Sequence, residues 1–384
     1  MNSLDDFAQA RLDALEARGL RRRMIITDRF SETGARRGGQ DLVSFCCNDY
    51  LSLSHHPEVI EAAREATARY GTGSGGSRLI SGNTPLYDEL EGALARWKQT
   101  EDCMVFGSGY LTNLGVIPCL AGKGDLVLQD ELNHACLFAG GRIGGAAVKV
   151  FRHNDLDHAR ALLAEHRAAH GTCLIAVDGV FSMDGDLAPI DGLAALAREY
   201  DAWLMTDDAH GLGVVGGGRG SSFLSPAKSD VPLQMGTLSK AIGAYGGYLC
   251  ASRPVVDLIR NRGRSFVYST GLPPGTVAAA IKALEIIERD PDLCARPVAN
   301  AARFCAALNL PAPASPIVPV ILGEAHRVME ASAELQARGF LVTGIRPPTV
   351  PEGTARLRVT FSAAHTEAEI DALVAAFRAL GLAG

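Results

Sequence analysis

Lys240 lies in Met235-Gly-Thr-Leu-Ser-Lys-Ala-Ile-Gly-Ala-Tyr-Gly-Gly247, among small and apolar residues, with hydroxyls at Thr237 and Ser239. The chain holds six lysines against thirty-one arginines, so a lysine kept in a nearly uncharged stretch invites a chemical reason. An amine can lose its proton, attack a carbonyl and form a Schiff base, whereas a guanidinium stays charged. The alternative is a surface lysine whose stem covers apolar area while its head stays in water. Gly107-Ser-Gly-Tyr-Leu-Thr-Asn113 places glycines before a helix start, where exposed N–H groups form a natural phosphate cradle, although such turns also serve packing alone. It is not a G-x-G-x-x-G fingerprint, and the Gly213–Gly220 cluster does not follow the first strand, so a dinucleotide site is disfavoured. His134, in Asn133-His-Ala135, is a catalytic candidate or simply a satisfied polar residue. Asp207-Asp-Ala-His210 has metal-ligand types, but no third ligand recurs at the usual spacing. Ser182, in Val180-Phe-Ser-Met-Asp-Gly185, adds a hydroxyl.

These groups act together only if the fold gathers them. From Asp102 to about Ser252 short apolar runs alternate with helical stretches: Cys103–Phe106, Leu126–Leu128, Ala147–Phe151, Cys173–Val177, Trp203–Thr206, Leu233–Met235 and Tyr248–Ala251. Leu156–Arg167 and Ile190–Tyr200 are helical in pattern. This alternation predicts a mostly parallel sheet covered on both faces, with ligands beyond the carboxyl ends of the strands. Each candidate residue follows such an end. Upstream, helices are expected over 3–20 (Ser3 and Asp6 resembling a capping box), from Pro57 to Gly71, and from Thr84-Pro85 to Lys98, with a strand over Leu42–Cys47. Downstream, helices over Pro273–Arg289, Ala299–Leu308, Glu324–Arg338 and Thr366–Leu380 alternate with strands Ile317–Leu322, Leu341–Ile345 and Leu357–Phe361, a smaller α+β unit.

A phosphate cradle, a histidine, an aspartate and an amine at one sheet edge fit pyridoxal 5'-phosphate, which needs a lysine, an anion for its ring nitrogen and a phosphate anchor. Asp207-x-Ala-His210, followed thirty residues later by Thr237-Leu-Ser-Lys240, resembles the α-oxoamine synthase family of fold-type I pyridoxal phosphate enzymes. The likeness extends over essentially the whole chain: Asn48-Asp-Tyr50, Gly73-Ser-Gly-Gly-Ser77, His153-Asn-Asp155, Tyr268-Ser-Thr270, Ile345-Arg-Pro-Pro-Thr-Val-Pro351 and Ala355-Arg-Leu-Arg358. The resemblance implies an α/β, aspartate aminotransferase-like fold, with an N-terminal segment (1–50), a large cofactor-binding domain (51–280) and a small C-terminal α+β domain (281–384). It implies that Lys240 holds the cofactor, Asp207 keeps the ring nitrogen protonated and His134 stacks on the ring. Ser182 and His210 lie near the ring hydroxyl. Thr237 and the Gly109–Tyr110 backbone bind phosphate, and Thr270 reaches across from a second subunit. Arg358 takes the amino-acid carboxylate, while Arg21, Asn48, His134 and Thr349 match substrate-contacting positions. Cys136 stands where serine is common in His-Ala-Ser, and Ser239 where glycine is common before the lysine.

The reaction implied is decarboxylative condensation of L-alanine with a pimeloyl thioester, carried by coenzyme A or acyl carrier protein, in a homodimer on the route to biotin. Other members that use glycine or serine are the alternatives. A net charge of -6 and a pI near 5.9 leave no electrostatic footprint for nucleic acid. No apolar run reaches membrane-spanning length, and the acidic start at Asp5, Asp6, Asp13 and Glu16 suits no targeting peptide. Nine cysteines without a C-x-x-C point to reduced thiols in a cytoplasmic protein rather than disulfides or structural zinc.

Overall fold

The computed structural model describes residues 3–18 and 20–382. Three strands come first: β1 (Asp28–Arg29), β2 (Gly34–Arg37) and β3 (Gln40–Ser44), an antiparallel ribbon. Seven strands then build the central sheet. They are β4 (Asp102–Phe106), β5 (Leu126–Asp130), β6 (Ala147–Phe151), β7 (Cys173–Asp178), β8 (Trp203–Asp207), β9 (Leu233–Thr237) and β10 (Gly247–Ala251). Their spatial order is β4-β10-β9-β8-β7-β5-β6, all parallel except β10, which runs against both of its neighbours. Each apolar run of the sequence is therefore a strand, and β5, β7, β8 and β9 run one or two residues further at their carboxyl ends, to Asp130, Asp178, Asp207 and Thr237.

Alternation sorts the strand side chains between two cores. In β5, Leu126 and Leu128 join Phe151, Leu163 and Leu193, while Val127 joins Val116 and Ile117 on the other face. In β10, Tyr248 and Cys250 face one core and Leu249 and Ala251 the other. Period-two side chains on a sheet covered twice read as continuous apolar runs, because both positions are buried.

The C-terminal strands are β11 (Ile317–Gly323), β12 (Phe340–Leu341), β13 (Thr343–Ile345) and β14 (Ala355–Thr360). The segment expected as one strand over Leu341–Ile345 is two. Phe340–Leu341 pairs parallel with β3, and Thr343–Ile345 pairs antiparallel with β14. One chain segment thus joins the N-terminal ribbon to the small sheet β11-β14-β13. Phe45 N–H donates to Leu341 O (2.9 Å), Thr360 N–H to Phe45 O (2.8 Å), and Ala363 N–H to Tyr50 O (2.7 Å).

Three local expectations shift. The first helix, Ser3–Ala17, stops short of residue 20 and of Arg21-Arg22-Arg23, and Ser3 is helical rather than its cap. The early strand is Gln40–Ser44, shorter than Leu42–Cys47 at its end because Phe45 turns its carbonyl to Thr360. The helix expected from Ala299 starts at Pro291, eight residues earlier. Asp290 caps it by accepting from Leu293 N–H (3.2 Å), and Pro297 is accommodated within it. At Thr366 a full capping box forms with Glu369.

Candidate active site

At the carboxyl edge of the sheet, β7 ends on Asp178 and β8 on Asp207, directly paired in register. Both carboxyls are buried. Asp207 accepts from Asn113 Nδ2 (2.8 Å) at one oxygen and from Ala209 N–H (2.9 Å) at the other. Asp178 accepts from His134 N–H (2.7 Å), and its own N–H donates to Asn133 Oδ1 (3.0 Å). Burial pushes the Asp178 carboxyl well above the usual range, and the charge of Asp207 adds to that.

Lys240 follows β9 in a tight turn closed by Gly243 N–H on the Lys240 carbonyl (2.8 Å). Burial draws its amine below the ordinary lysine value, against the pull of Asp207 and Asp178 and with a push from Arg358. Among the described residues nothing hydrogen-bonds the amine. A partly desolvated lysine that gives up its proton readily is suited to attack and to proton transfer. Ser239, the unusual residue before it, has a structural task. Thr237 Oγ1 donates to Gly246 O (2.7 Å), so the 2.8 Å contact between hydroxyls leaves Ser239 as donor to Thr237. The serine thus ties the lysine turn back to β9.

The helix Gly109–Leu120 starts against that turn, capped by Ser108 Oγ, which accepts from Leu111 N–H (3.2 Å). A Cβ on Gly109 would come within 3.3 Å of Thr237, and one on Gly247 within 2.6 Å of Gly109 N. Glycine at both places lets the helix start, with its free N–H groups, lie on β9 and β10 beside the Thr237 hydroxyl. Tyr110, next in the turn, is half exposed.

The other wall comes from both ends of the chain. Arg358, buried on β14, donates to Ser182 O (2.6 Å), Asn48 Oδ1 (3.1 Å) and Tyr50 Oη (3.4 Å). Among the described residues no carboxylate pairs with it. Tyr50 Oη also lies 2.7 Å from His210 Nδ1. Burial pulls His210 well below the ordinary histidine value, with Lys240 and Arg358 adding to the shift, so it enters as a neutral ring. Burial likewise lowers His134, with Asp207 opposing and Lys240 assisting.

His134 and Ser182 open onto a cleft of about 1600 Å³, whose walls include Phe138, Met329, Arg22 and Thr349. Arg22 Nη2 donates to Thr349 Oγ1 (3.3 Å), whereas Arg21 turns to Glu16 (3.4 Å) and lines an adjoining cavity of about 670 Å³ with Thr349. Thr270 is exposed, bridged to Ser77, and shares a small recess with Gly107 instead of lining the cleft. The structure thus gathers Lys240, Asp207, His134, His210, Thr237, Gly109, Ser182, Asn48 and Arg358 around one sheet edge, and leaves Arg21 and Thr270 outside it. Sequence reasoning missed Asn113, Asp178 and Tyr50 as members. Asp178 had a readable signal, since it follows Val177 just as Asp207 follows Thr206.

A parallel sheet with a lysine turn, an aspartate and a helix-start cradle at its carboxyl edge defines the class. The chain belongs to the family described as Aminotransferase class I and II, whose model matches residues 40–377. Within it the chain is 63% identical to a putative 8-amino-7-oxononanoate synthase of Parvibaculum lavamentivorans, over 98% of this chain and 97% of the relative. It is 58% identical to the 8-amino-7-oxononanoate synthase of Methylobacterium radiotolerans, over 99% of both chains. Among solved structures it resembles serine palmitoyltransferase of Sphingomonas wittichii, with a TM-score of 0.92 and 31% identity over 100% of this chain and 99% of the other. The 8-amino-7-oxononanoate synthase of Francisella tularensis gives a TM-score of 0.74 at 26% identity, covering 88% of this chain and 98% of that one.

The residues present fit pyridoxal phosphate. Among the described residues the Lys240 amine has no hydrogen-bond partner and each Asp207 oxygen carries a single one, and the helix start beside Thr237 offers N–H donors where a side chain on Gly109 would crowd the wall. Among the described residues no cluster of His, Cys, Asp or Glu could hold a metal.

Proposed function

We propose that the chain condenses L-alanine with a pimeloyl thioester, releasing carbon dioxide and the free thiol and giving 8-amino-7-oxononanoate for biotin synthesis. The observation that carries this is the full-length identity of 57–63% to proteins named for that activity, together with a site that fits its cofactor. Pyridoxal phosphate, when bound, supplies a carbonyl for the substrate amine and an electron sink for charge developing at the α-carbon. In this reading Lys240 would hold the cofactor, and its amine would move the α-proton. Asp207 keeps a proton on the ring nitrogen, His134 covers the ring, and Ser182 and His210 border its hydroxyl. The Gly109–Tyr110 N–H groups would hold the phosphate, with the Thr237 hydroxyl beside them joining once its proton turns from Gly246 O. Arg358 binds the amino-acid carboxylate as a planar fork, with Asn48 fixing the guanidinium. The acyl chain would run along the cleft toward Thr349, with Arg22 at its mouth and Arg21 in the adjoining cavity that Thr349 also lines.

A homodimer and a cytoplasmic location belong to the same proposal. No helix among the described residues is long and apolar enough to cross a membrane, and all nine cysteines are free. Thr270 and the Gly71–Ser77 loop lie at the surface, where a second copy would meet them. The acyl carrier is coenzyme A or acyl carrier protein, and comparing the two thioesters decides between them. The division into segments 1–50, 51–280 and 281–384 also stays part of the proposal.

A serine-using acyltransferase is the second reading, favoured by the TM-score of 0.92 to serine palmitoyltransferase. Sequence identity near twice as high outweighs it. Carbon dioxide release from alanine, glycine and serine with pimeloyl-CoA tests the choice. Alanine is expected to react fastest, and an enzyme inert toward alanine would sink the proposal.

A further inference from the structure

Beside the ring site, a thiol and an amide engage His134 in a way that the functional reading above does not use. We propose that Cys136, itself held by Asn113, is a positioning residue that fixes His134 in the tautomer with its proton on Nε2, so that one N–H donor points into the cleft.

The donor directions follow by elimination. Asp207 as a carboxylate only accepts, so Asn113 must turn its amide nitrogen to it (2.8 Å). The second hydrogen of that nitrogen goes to Cys136 Sγ (3.0 Å). With its sulfur accepting there, the thiol has its proton left for His134 Nδ1, 2.8 Å away. Cys136 N–H donates to the same Nδ1 (3.3 Å), the side-chain cap of the helix Ala135–Gly144. A nitrogen that takes two donors carries no proton of its own, so the neutral ring bears it on Nε2. Burial pushes the Cys136 thiol up to about 12, with the charge of Asp207 adding, so the donor stays protonated. Close helix packing makes the contact possible: a Cβ on Gly140 would lie 2.8 Å from Asn113 O. Charged and titratable groups facing His134 are Asp207, Lys240 and His210, with Asp178 on its N–H and Glu131, Asp184 and Arg356 on the cleft side.

The consequence is that His134 offers a hydrogen bond to a substrate oxygen and does not deliver a proton. That the oxygen belongs to the thioester or the amino acid rests on the proposed function; the tautomer does not. The test is a long-range proton–nitrogen correlation spectrum of cofactor-loaded, ¹⁵N-histidine-labelled enzyme, with His134→Gln identifying the signal. The wild type is expected to show a neutral ring protonated on Nε2 at pH 7. Cys136→Ala should raise the His134 pKa by about one unit, the equivalent of one lost hydrogen bond, or let the Nδ1–H form appear. Cys136→Ser keeps an O–H donor and should behave as wild type. A wild-type ring protonated on Nδ1, an unchanged signal in Cys136→Ala, or a serine variant that follows the alanine one would each overturn the inference. An enzyme inert toward alanine that still shows this pattern would refute the proposed reaction and leave the tautomer assignment standing.

Discussion

Among the described residues neither Arg358 nor Lys240 has an anionic partner in contact, and the site answers each differently. A buried guanidinium cannot shed its charge, so Arg358 is held by three neutral acceptors and its charge remains available to a carboxylate. Arg358→Lys loses the planar fork and should lower kcat/KM for the amino acid roughly 10- to 100-fold, about 1.4–3 kcal/mol, chiefly through KM. Lys240 can shed its charge. Lys240→Ala is expected to leave a folded protein without turnover, and substantial activity in a purified variant would remove the lysine from its role. These residues were legible because each stands just past an apolar run or inside a short motif. Asn113 was not, since an asparagine within a helix start looks like any polar helical residue until the partner strand places Asp207 above it. Arg21 and Arg22 could not be separated by spacing alone, because which arginine faces the cleft depends on how the chain leaves the first helix.

At the scale of elements, pins between loops hold the carboxyl edge in shape. His153, after β6, sits between Asp130 on β5 (3.0 Å) and Asp186 (2.7 Å). Burial alone would lower its pKa, but hydrogen bonds and charge from the two aspartates outweigh that and raise it to about 10. A pKa raised from the ordinary 6.5 stabilises fully below pH 6.5 and is lost as pH climbs through 10. Stability to urea should therefore decline across that window, and His153→Ala should flatten the decline. Lys98 and Asp208 form a second pin, fully buried and 2.9 Å apart, joining the helix Pro85–Trp97 to the loop after β8. Lys98→Met strands the carboxylate and should cost about 3–5 kcal/mol, part of which Asp208→Asn in the same chain recovers. The strands themselves were readable from apolar runs bounded by polar residues. Phe340–Ile345 was not, because a change of sheet in the middle of an apolar run leaves no mark in composition.

The whole molecule presents apolar surface where Thr270 and the glycine loop emerge: Ile80 is 85% exposed and Tyr268 75%. In the proposed homodimer these side chains are covered. Ile80→Asp should shift the sedimenting species toward half its mass and reduce turnover along with it, whereas a wild-type protein that sediments as a monomer while active would refute the dimer. Assembly was the least legible level, since a dimer interface and a core segment share the same apolar residues. The joint between β3 and β12 has a consequence for synthesis. The ribbon that carries Asn48 and Tyr50 toward the site leaves the ribosome first, but its pairing partner Phe340–Leu341 follows roughly 300 residues later. At cellular translation rates of about 5–20 residues per second, that edge waits on the order of 15–60 s before it can close. The amino-acid side of the site is therefore the last part of that site to form, and an arrest of translation before Ala355 leaves a central sheet with no Arg358 pocket beside it.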